Sequence, residues 1–412
     1  MNLTEMQKRM LDGEMGEPVR QGMELIVELG KFWDAPDLVP VRSVHMAGAS
    51  VKTARRAGRK HIRWIADEGG KFVVTATLNP AACDLTGLDL GVPEDTMAQQ
   101  REITDSYRRM GGVECHTCTP YLVGNVPMLG EHIAWGESSA IVYSNSVLGA
   151  RTNREGGPSG LASALTGFTA NYGMHLKENR LGTVQIALDY APGDISEFGC
   201  AAYYAAKNFP DALPVFTGLP PNTPASALKE MAAALATSGS VSMYHAVGIT
   251  PEAVTLKAAT GGRKIQKVKV GPKEIEETKR FLNRTNPSSE IDSVFIGCPH
   301  MDFDEIRNLA RLLEGRKVRP GLKFWLFAAQ SMWSNTERSG FNRVLRDAGA
   351  ILASDTCPNI MIFSEVIASN NFASGATDST KLAHYLPSWG LNIHYGSTAE
   401  VIEAAVTGKW RV

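Results

Sequence analysis

Apolar residues along this chain recur at two spacings, and the switches between them mark its elements. Thr4 stands where a cap would precede a helix over Glu5 to Asp12, and Gly16 to Phe32 carries apolar side chains at helical spacing. Leu38 to Ala47 reads as a strand ending in Ala47-Gly48-Ala49-Ser50. Lys52 to Glu68 is a basic helical stretch, and Lys71 to Leu78 a strand that stops at Asn79-Pro80. Thr96 to Met110 is a polar helix running into a short strand, Val113 to Cys115. In the middle, Ala140 to Tyr143 is expected to be a strand before a long glycine-rich turn. Gly182 to Leu188 and Val241 to Ala246 are predicted strands, and Ser196 to Lys207 and Ala225 to Thr237 predicted helices. The looser, basic stretch Gly261 to Gly271 is the expected boundary. Beyond it come helices over Lys273 to Leu282, Asp302 to Leu313 and Glu337 to Ala348. Between them fall strands over Ser293 to Ile296, Leu322 to Ala328 and Ala350 to Ala353.

Such alternation predicts an α/β chain of parallel sheets with helices on both faces, divided approximately into residues 1–180, 181–270 and 271–412. Ligands of open parallel sheets collect beyond the carboxyl ends of the strands. Cys298 falls there, after Phe295-Ile296-Gly297, and so does Cys357, after Ile351-Leu352-Ala353; the same placement is expected for Cys118.

Composition narrows the functional classes. The chain has 412 residues, 43% hydrophobic and 21% charged, with 42 Lys and Arg against 43 Asp and Glu. A formal net charge of -1 gives no support for a nucleic-acid partner or an anionic membrane. No apolar run reaches the roughly 20 residues that span a bilayer. Met1 to Glu14 is polar and mixed in charge, unlike a secretory signal. A cytoplasmic location is therefore expected. Six cysteines are sparse for a chain of this length, and a reducing compartment turns attention from disulfides to metal or catalysis.

Three of those cysteines share a setting: Cys118 in Thr-Cys-Thr-Pro-Tyr, Cys298 in Ile-Gly-Cys-Pro-His and Cys357 in Asp-Thr-Cys-Pro-Asn. Each lies in a short polar turn beside proline at the end of an apolar segment. Three thiolates converging from distant segments can hold an iron–sulfur cluster by three irons and leave another iron open to substrate. Cys83 and Cys200 read as core fillers. Cys115 makes Cys-x-x-Cys with Cys118, but no second pair follows at zinc spacing, and it is taken as a neighbour. A cluster used only for electrons would want four protein ligands, and a scaffold would hold no metal; both remain alternatives.

The run Tyr143 to Ser159 packs hydroxyls, amides, two arginines and three glycines into seventeen positions. Glycines admit close backbone approach, and arginine offers a planar fork to a carboxylate. Asn145 and Ser146 are suited to orienting a small polar acid. Ser50, His45, Asn79 and Asp84 follow strands, His300 lies two residues after Cys298, and Asp355 two before Cys357. Dehydration needs an acid for the departing hydroxyl and a base for the neighbouring C–H. Asp84 and His300 are the preferred acid candidates, with Ser50 and Asn79 as substrate contacts.

Five segments together resemble the large, catalytic subunit of the aconitase X family. They are Glu137 to Ser159 (E-S-S-A-I-V-Y-S-N-S-V-L-G-A-R-T-N-R-E-G-G-P-S), Cys118 to Leu122, Gly297 to His300, Ser354 to Pro358, and Tyr172 to Arg180. The resemblance runs through nearly the whole chain in order. It implies an aconitase-like multi-domain fold and an iron–sulfur cluster of unspecified nuclearity, or mononuclear iron, at Cys118, Cys298 and Cys357. It also implies a substrate pocket using Ser146, Arg151, Thr152, Asn153 and Arg154. Members carry a small swivelling domain, fused or separate, and nothing up to Val412 supplies it; a small partner subunit bringing a catalytic serine is therefore expected. The family implies dehydration of cis-3-hydroxy-L-proline to Δ1-pyrroline-2-carboxylate or, alternatively, of mevalonate 5-phosphate. Ordinary charge content, without the Lys and Glu enrichment of hyperthermophiles, favours hydroxyproline.

Overall fold

The structure, a computed structural model, describes residues 1–283 and 289–411. Three helix-flanked units follow one another. The first contains β1 (Leu38–Pro40), β2 (Ser43–Met46), β3 (Thr75–Leu78), β4 (Ala134–Trp135) and β5 (Phe168–Ala170). β2 lies between β3 and β4, parallel to both, while β1 pairs antiparallel with β5 in a separate ribbon. The single strand expected over 38–47 is thus two. Pro40 has no N–H to extend a ladder, and the chain leaves one sheet there for the other.

The second unit holds β6 (Val184–Leu188), β7 (Pro214–Thr217), β8 (His245–Ala246) and β9 (Gln266–Val270), all parallel in the order β8-β7-β6-β9. β9 occupies the stretch expected to be a boundary. It is an edge strand with Lys267 and Lys269 beside β6, and such charges guard an open edge. Its low apolar content is what made it read as a linker.

The third unit is a five-stranded parallel sheet of β10 (Ser293–Ile296), β11 (Lys323–Ala328), β12 (Ala350–Ser354), β13 (Ser374–Thr377) and β14 (Asn392–Tyr395), ordered β12-β11-β10-β13-β14. β10 and β11 are nearly continuous apolar runs because helices cover both faces. Trp325 meets Phe372 edge-to-face with centroids 5.4 Å apart, and Phe295 meets Phe363 at 5.5 Å. The helix expected over 337–348 is two, Gln330–Arg338 and Phe341–Ala348, parted at Gly340, whose φ is +78°.

One expected strand is a helix. Ser138–Tyr143 is helical, with the Glu137 carboxylate accepting from the Ala140 N–H at 2.6 Å, and it continues as a π-helical turn over Ser144–Leu148. Ala140 to Val142 are fully buried, so the apolar run shows no period that would separate helix from strand. The first and third units are joined directly: the Ala81 N–H donates to the Asp355 carbonyl at 2.7 Å, and the Thr356 hydroxyl to the Ala81 carbonyl at 2.7 Å. Among the described residues no helix is long and apolar enough to cross a membrane.

Candidate active site

Cys298 lies just past β10 and Cys357 just past β12, at the carboxyl edge of the third sheet. Between β10 and Cys298 stands Gly297, at φ +108°, where a Cβ would come within 2.2 Å of the Phe327 carbonyl oxygen. Only glycine lets the chain turn so close to β11. Cys118 arrives from the first unit, after Val113 has bridged to β3. All three thiols are buried.

His300 ties two of these segments together. Its backbone N–H donates to Cys118 Sγ at 3.2 Å. Its Nε2 lies 2.9 Å from the Thr356 carbonyl, which only accepts, so Nε2 carries the proton and Nδ1 accepts from the Thr117 hydroxyl at 3.0 Å. Burial pushes this imidazole down to about 4, so it is neutral. Asn359 Nδ2 donates to Cys298 Sγ at 3.0 Å. Backbone N–H groups of Asn359 and Ile360 favour the charged form of Cys357.

The electrostatics are those of buried thiols whose charged form burial opposes. Burial raises the pKa of all three thiols, and Cys118 and Cys298 are raised further by the charge of Cys357. The Lys381 ammonium pulls each of them back down. Lys381 donates to Glu137 Oε1, Ser138 Oγ and Ser139 Oγ, each at 3.0 Å. Burial opposes its charge, but Glu137 and the neighbouring sulfurs outweigh burial and hold it protonated. Burial likewise opposes the charge of Glu137, which Lys381 and the Ala140 N–H hold below the usual carboxylate range.

A cavity of about 620 Å³ opens beside this centre, between the first and third units. Asn79, Glu137, Asn359, Lys381, Lys52 and Trp389 are among its walls. The Oδ1 atoms of Asn79 and Asn359 are buried with no partner at hydrogen-bond distance, and Asn79 faces the His45 imidazole. Orphaned polar atoms at the wall of a cavity mark where a ligand would complete the network.

Of the residues singled out in the sequence, Asn79 reaches the cavity wall. Ser50 caps the Val51–Asp67 helix, accepting from the Thr53 N–H. Asp84 organises a turn: Oδ1 accepts from the Thr86 N–H and hydroxyl, and Oδ2 from the Ser354 N–H at 2.7 Å. The polar run acts as a brace. Asn145 donates to the carbonyls of Thr152 and Ser242 and accepts from the Thr152 N–H. Ser146 Oγ accepts from the Tyr244 N–H, and Thr152 Oγ1 from the Trp135 N–H. Arg151 donates to the His175 carbonyl, Asn153 to that of Tyr172, and Arg154 to that of Val241. None of these six lines the cavity. Cys83 and Cys200 are buried, and Cys115 is turned toward the Leu78 carbonyl. Among the described residues no three His, Cys, Asp or Glu side chains converge on a position for a single metal ion.

Sequence reasoning missed Glu137, Lys381, Asn359 and Lys52. Glu137 opens the Glu-Ser-Ser run, and a carboxylate heading a wholly buried segment is a signal that could have been used. Lys381 carried none, since its partner lies 244 positions away.

Family models describing the first, second and third domains of aconitase X match residues 1–178, 182–280 and 291–407. The phosphomevalonate dehydratase large subunit of Methanocaldococcus jannaschii is 39% identical over 397 residues, which are 94% of this chain and 96% of that protein. The cis-3-hydroxy-L-proline dehydratase of Pseudomonas aeruginosa is 32% identical over 405 residues, 97% of this chain and 69% of that protein. A crystal structure of Thermococcus kodakaraensis aconitase X, in its holo-form, matches with a TM-score of 0.88 and 33% identity, covering 98% of this chain and 100% of that one. The order of the three domains, this depth of identity along the whole chain and the shared fold place the protein in the aconitase X family of dehydratases, and it is a hydro-lyase.

Proposed function

We propose that Cys118, Cys298 and Cys357 hold an iron–sulfur cluster and that this chain, with a small swivelling subunit, removes water from a β-hydroxy carboxylate. The observation that supports this reading is a pair of links between three buried cysteine segments: His300, two residues past Cys298, donates to Cys118 Sγ, and Asn359, two residues past Cys357, donates to Cys298 Sγ, beside a cavity walled by Asn359 and Lys381. The donor set fits such a group. Three thiolates without a cationic centre would repel one another in a buried site, while N–H groups already point at the sulfurs. A cluster spreads its irons among the sulfurs, whereas mononuclear iron would need ligands gathered on one point. Among the described residues no fourth cysteine joins the three, which favours catalysis over electron transfer.

When bound, the cluster would supply a Lewis acid for the departing hydroxyl. The chain's own residues do the rest of the positioning. Lys381, fixed by Glu137 and two serines, sets a positive charge between thiols and cavity. Asn79 and Asn359 offer carboxamide oxygens to a substrate hydroxyl or N–H. His300, with both ring nitrogens engaged, acts as a positioning residue that holds Cys118 and Cys357 in register, and Asp84 does the same for the approach to Cys357. The base for the C–H proton is a serine of the small subunit, the arrangement expected from the resemblance. Relatives named as large subunits support such a partner.

Mevalonate 5-phosphate is the favoured substrate. The phosphomevalonate dehydratase large subunits of Methanocaldococcus jannaschii and Methanothermobacter thermautotrophicus are 39% and 38% identical and are covered over 96% of their length. The cavity also offers more room than a small cyclic amino acid fills. cis-3-Hydroxy-L-proline, favoured by composition, is the second reading, supported by the Pseudomonas aeruginosa relative. Co-expression with a small subunit, anaerobic reconstitution and assay of both compounds decides between them. Dehydration of mevalonate 5-phosphate alone is the expected result; turnover of hydroxyproline alone would reverse the order, and turnover of neither would overturn the reading.

A further inference from the structure

Both candidate substrates carry a carboxylate on the carbon that loses its proton. As that proton leaves, negative charge grows onto the carboxylate, so a cation beside it stabilises the transition state more than the ground state. Lys381 is already committed to Glu137. Lys52 is not committed to any anion: it is half-buried in the wall of the cavity and makes none of the ion pairs seen among the described residues. Its Nζ donates to the Asn359 carbonyl at 2.9 Å and stands 3.9 Å from the centroid of the Trp389 ring. The ammonium is thus held across the cleft by the third unit, its hydrogen bond to the Asn359 carbonyl using one of its three protons. It is also close enough to Cys357 to feel that sulfur's charge, which places it by the thiol centre rather than at the far end of the cavity.

The backbone that delivers Lys52 is strained. Within the Val51–Asp67 helix, Arg55 stands at φ 52°, ψ −172°, a conformation essentially reserved for glycine. This break makes Val51–Ala54 a separate turn, and Lys52, Thr53 and Ala54 of that turn all face the cavity. An unbroken helix would not need that strain, and strain of this kind persists where surrounding contacts over-determine it, as at ligand clamps.

We infer that Lys52 is the anchor for the substrate's carboxylate, gripped between Trp389 and the Asn359 carbonyl so that it meets the carboxyl group beside the reacting C–H. This rests on the hydro-lyase reading but not on which of the two substrates is used. The test compares 3-methylcrotonate, a carboxylate shaped like the dehydrated product, with its neutral amide and with butyl phosphate. Equilibrium binding to the reconstituted two-subunit complex is measured for wild type, Lys52→Met and Lys52→Arg. Wild type should prefer the carboxylate to the amide, Lys52→Met should lose at least tenfold in carboxylate affinity and lose that preference, and Lys52→Arg should recover part of both. Unchanged carboxylate binding in Lys52→Met would overturn the inference, as would a loss confined to butyl phosphate, which would assign Lys52 to a phosphate. Turnover by the wild-type complex separates the two levels: an active wild type with unaltered Lys52→Met binding removes the anchor and leaves the hydro-lyase.

Discussion

The carboxyl edge of the third sheet and the polar run Tyr143–Ser159 looked equally like active site in the sequence, yet their polar groups are disposed in opposite ways. At the sheet edge, the amide oxygens of Asn79 and Asn359 lack partners at the wall of a cavity. In the polar run, amides, hydroxyls and guanidinium groups are turned onto carbonyls and N–H groups of neighbouring segments. Polar side chains concentrated in a short run announce that hydrogen bonds are needed there, not that a ligand supplies them. A brace between units needs the same residue types as a binding site. What separates the two is whether the partners are found inside the protein, and that only three dimensions reveal.

Breaking the buried cation at the sheet edge should have the largest effect on stability. Lys381→Met leaves Glu137 charged and unpaired in the interior and should cost about 3–5 kcal/mol, read as a lowered denaturant midpoint. The two regions then part in kinetics. Asn145→Ala in the brace should cost about 1–3 kcal/mol through the Thr152 N–H and Arg180 Nη1 that lose the Asn145 side-chain oxygen, with KM within about twofold of wild type. Asn79→Ala at the cavity should do the reverse, raising KM by about tenfold while stability changes by less than about 1 kcal/mol. A raised KM in Asn145→Ala would return the polar run to the substrate pocket.

A smaller effect sits behind Cys298, where Glu230 is buried and accepts from the Thr380 N–H and hydroxyl. Burial lifts its carboxyl to about 8. A folded-state value above the unfolded one means stability that is full below about pH 4.5 and declines as pH rises through about 8. Glu230→Gln keeps the acceptor and removes the ionisation. The variant should match wild type near pH 5 and exceed it by roughly 1–3 kcal/mol near pH 8.5, measured by denaturant titration at the two pH values.

Much of the fold was legible because parallel strands covered on both faces must be apolar throughout, as Val294-Phe295-Ile296 and Phe324 to Ala328 are, and the helices between them carry caps such as Asp302. Cys298 and Cys357 followed from the same rule about strand ends. Legibility failed where local pattern was silent. Ala140 to Val142, buried on every side, has no period; β9, an edge strand rich in lysine, has no apolar run. The Glu137–Lys381 pair and the grip of Asn359 and Trp389 on Lys52 are long-range meetings made by the packing of the first unit against the third, and no spacing along the chain encodes them.

The most direct test of the account is iron and acid-labile sulfide per chain after anaerobic reconstitution, in wild type and in six single Cys→Ala variants. Substitution of Cys118, Cys298 or Cys357 should remove the bound iron together with the visible cluster absorbance, while substitution of Cys83, Cys115 or Cys200 leaves both in place. Full iron and sulfide retained in Cys298→Ala, or their loss in Cys200→Ala with the fold intact, would contradict it.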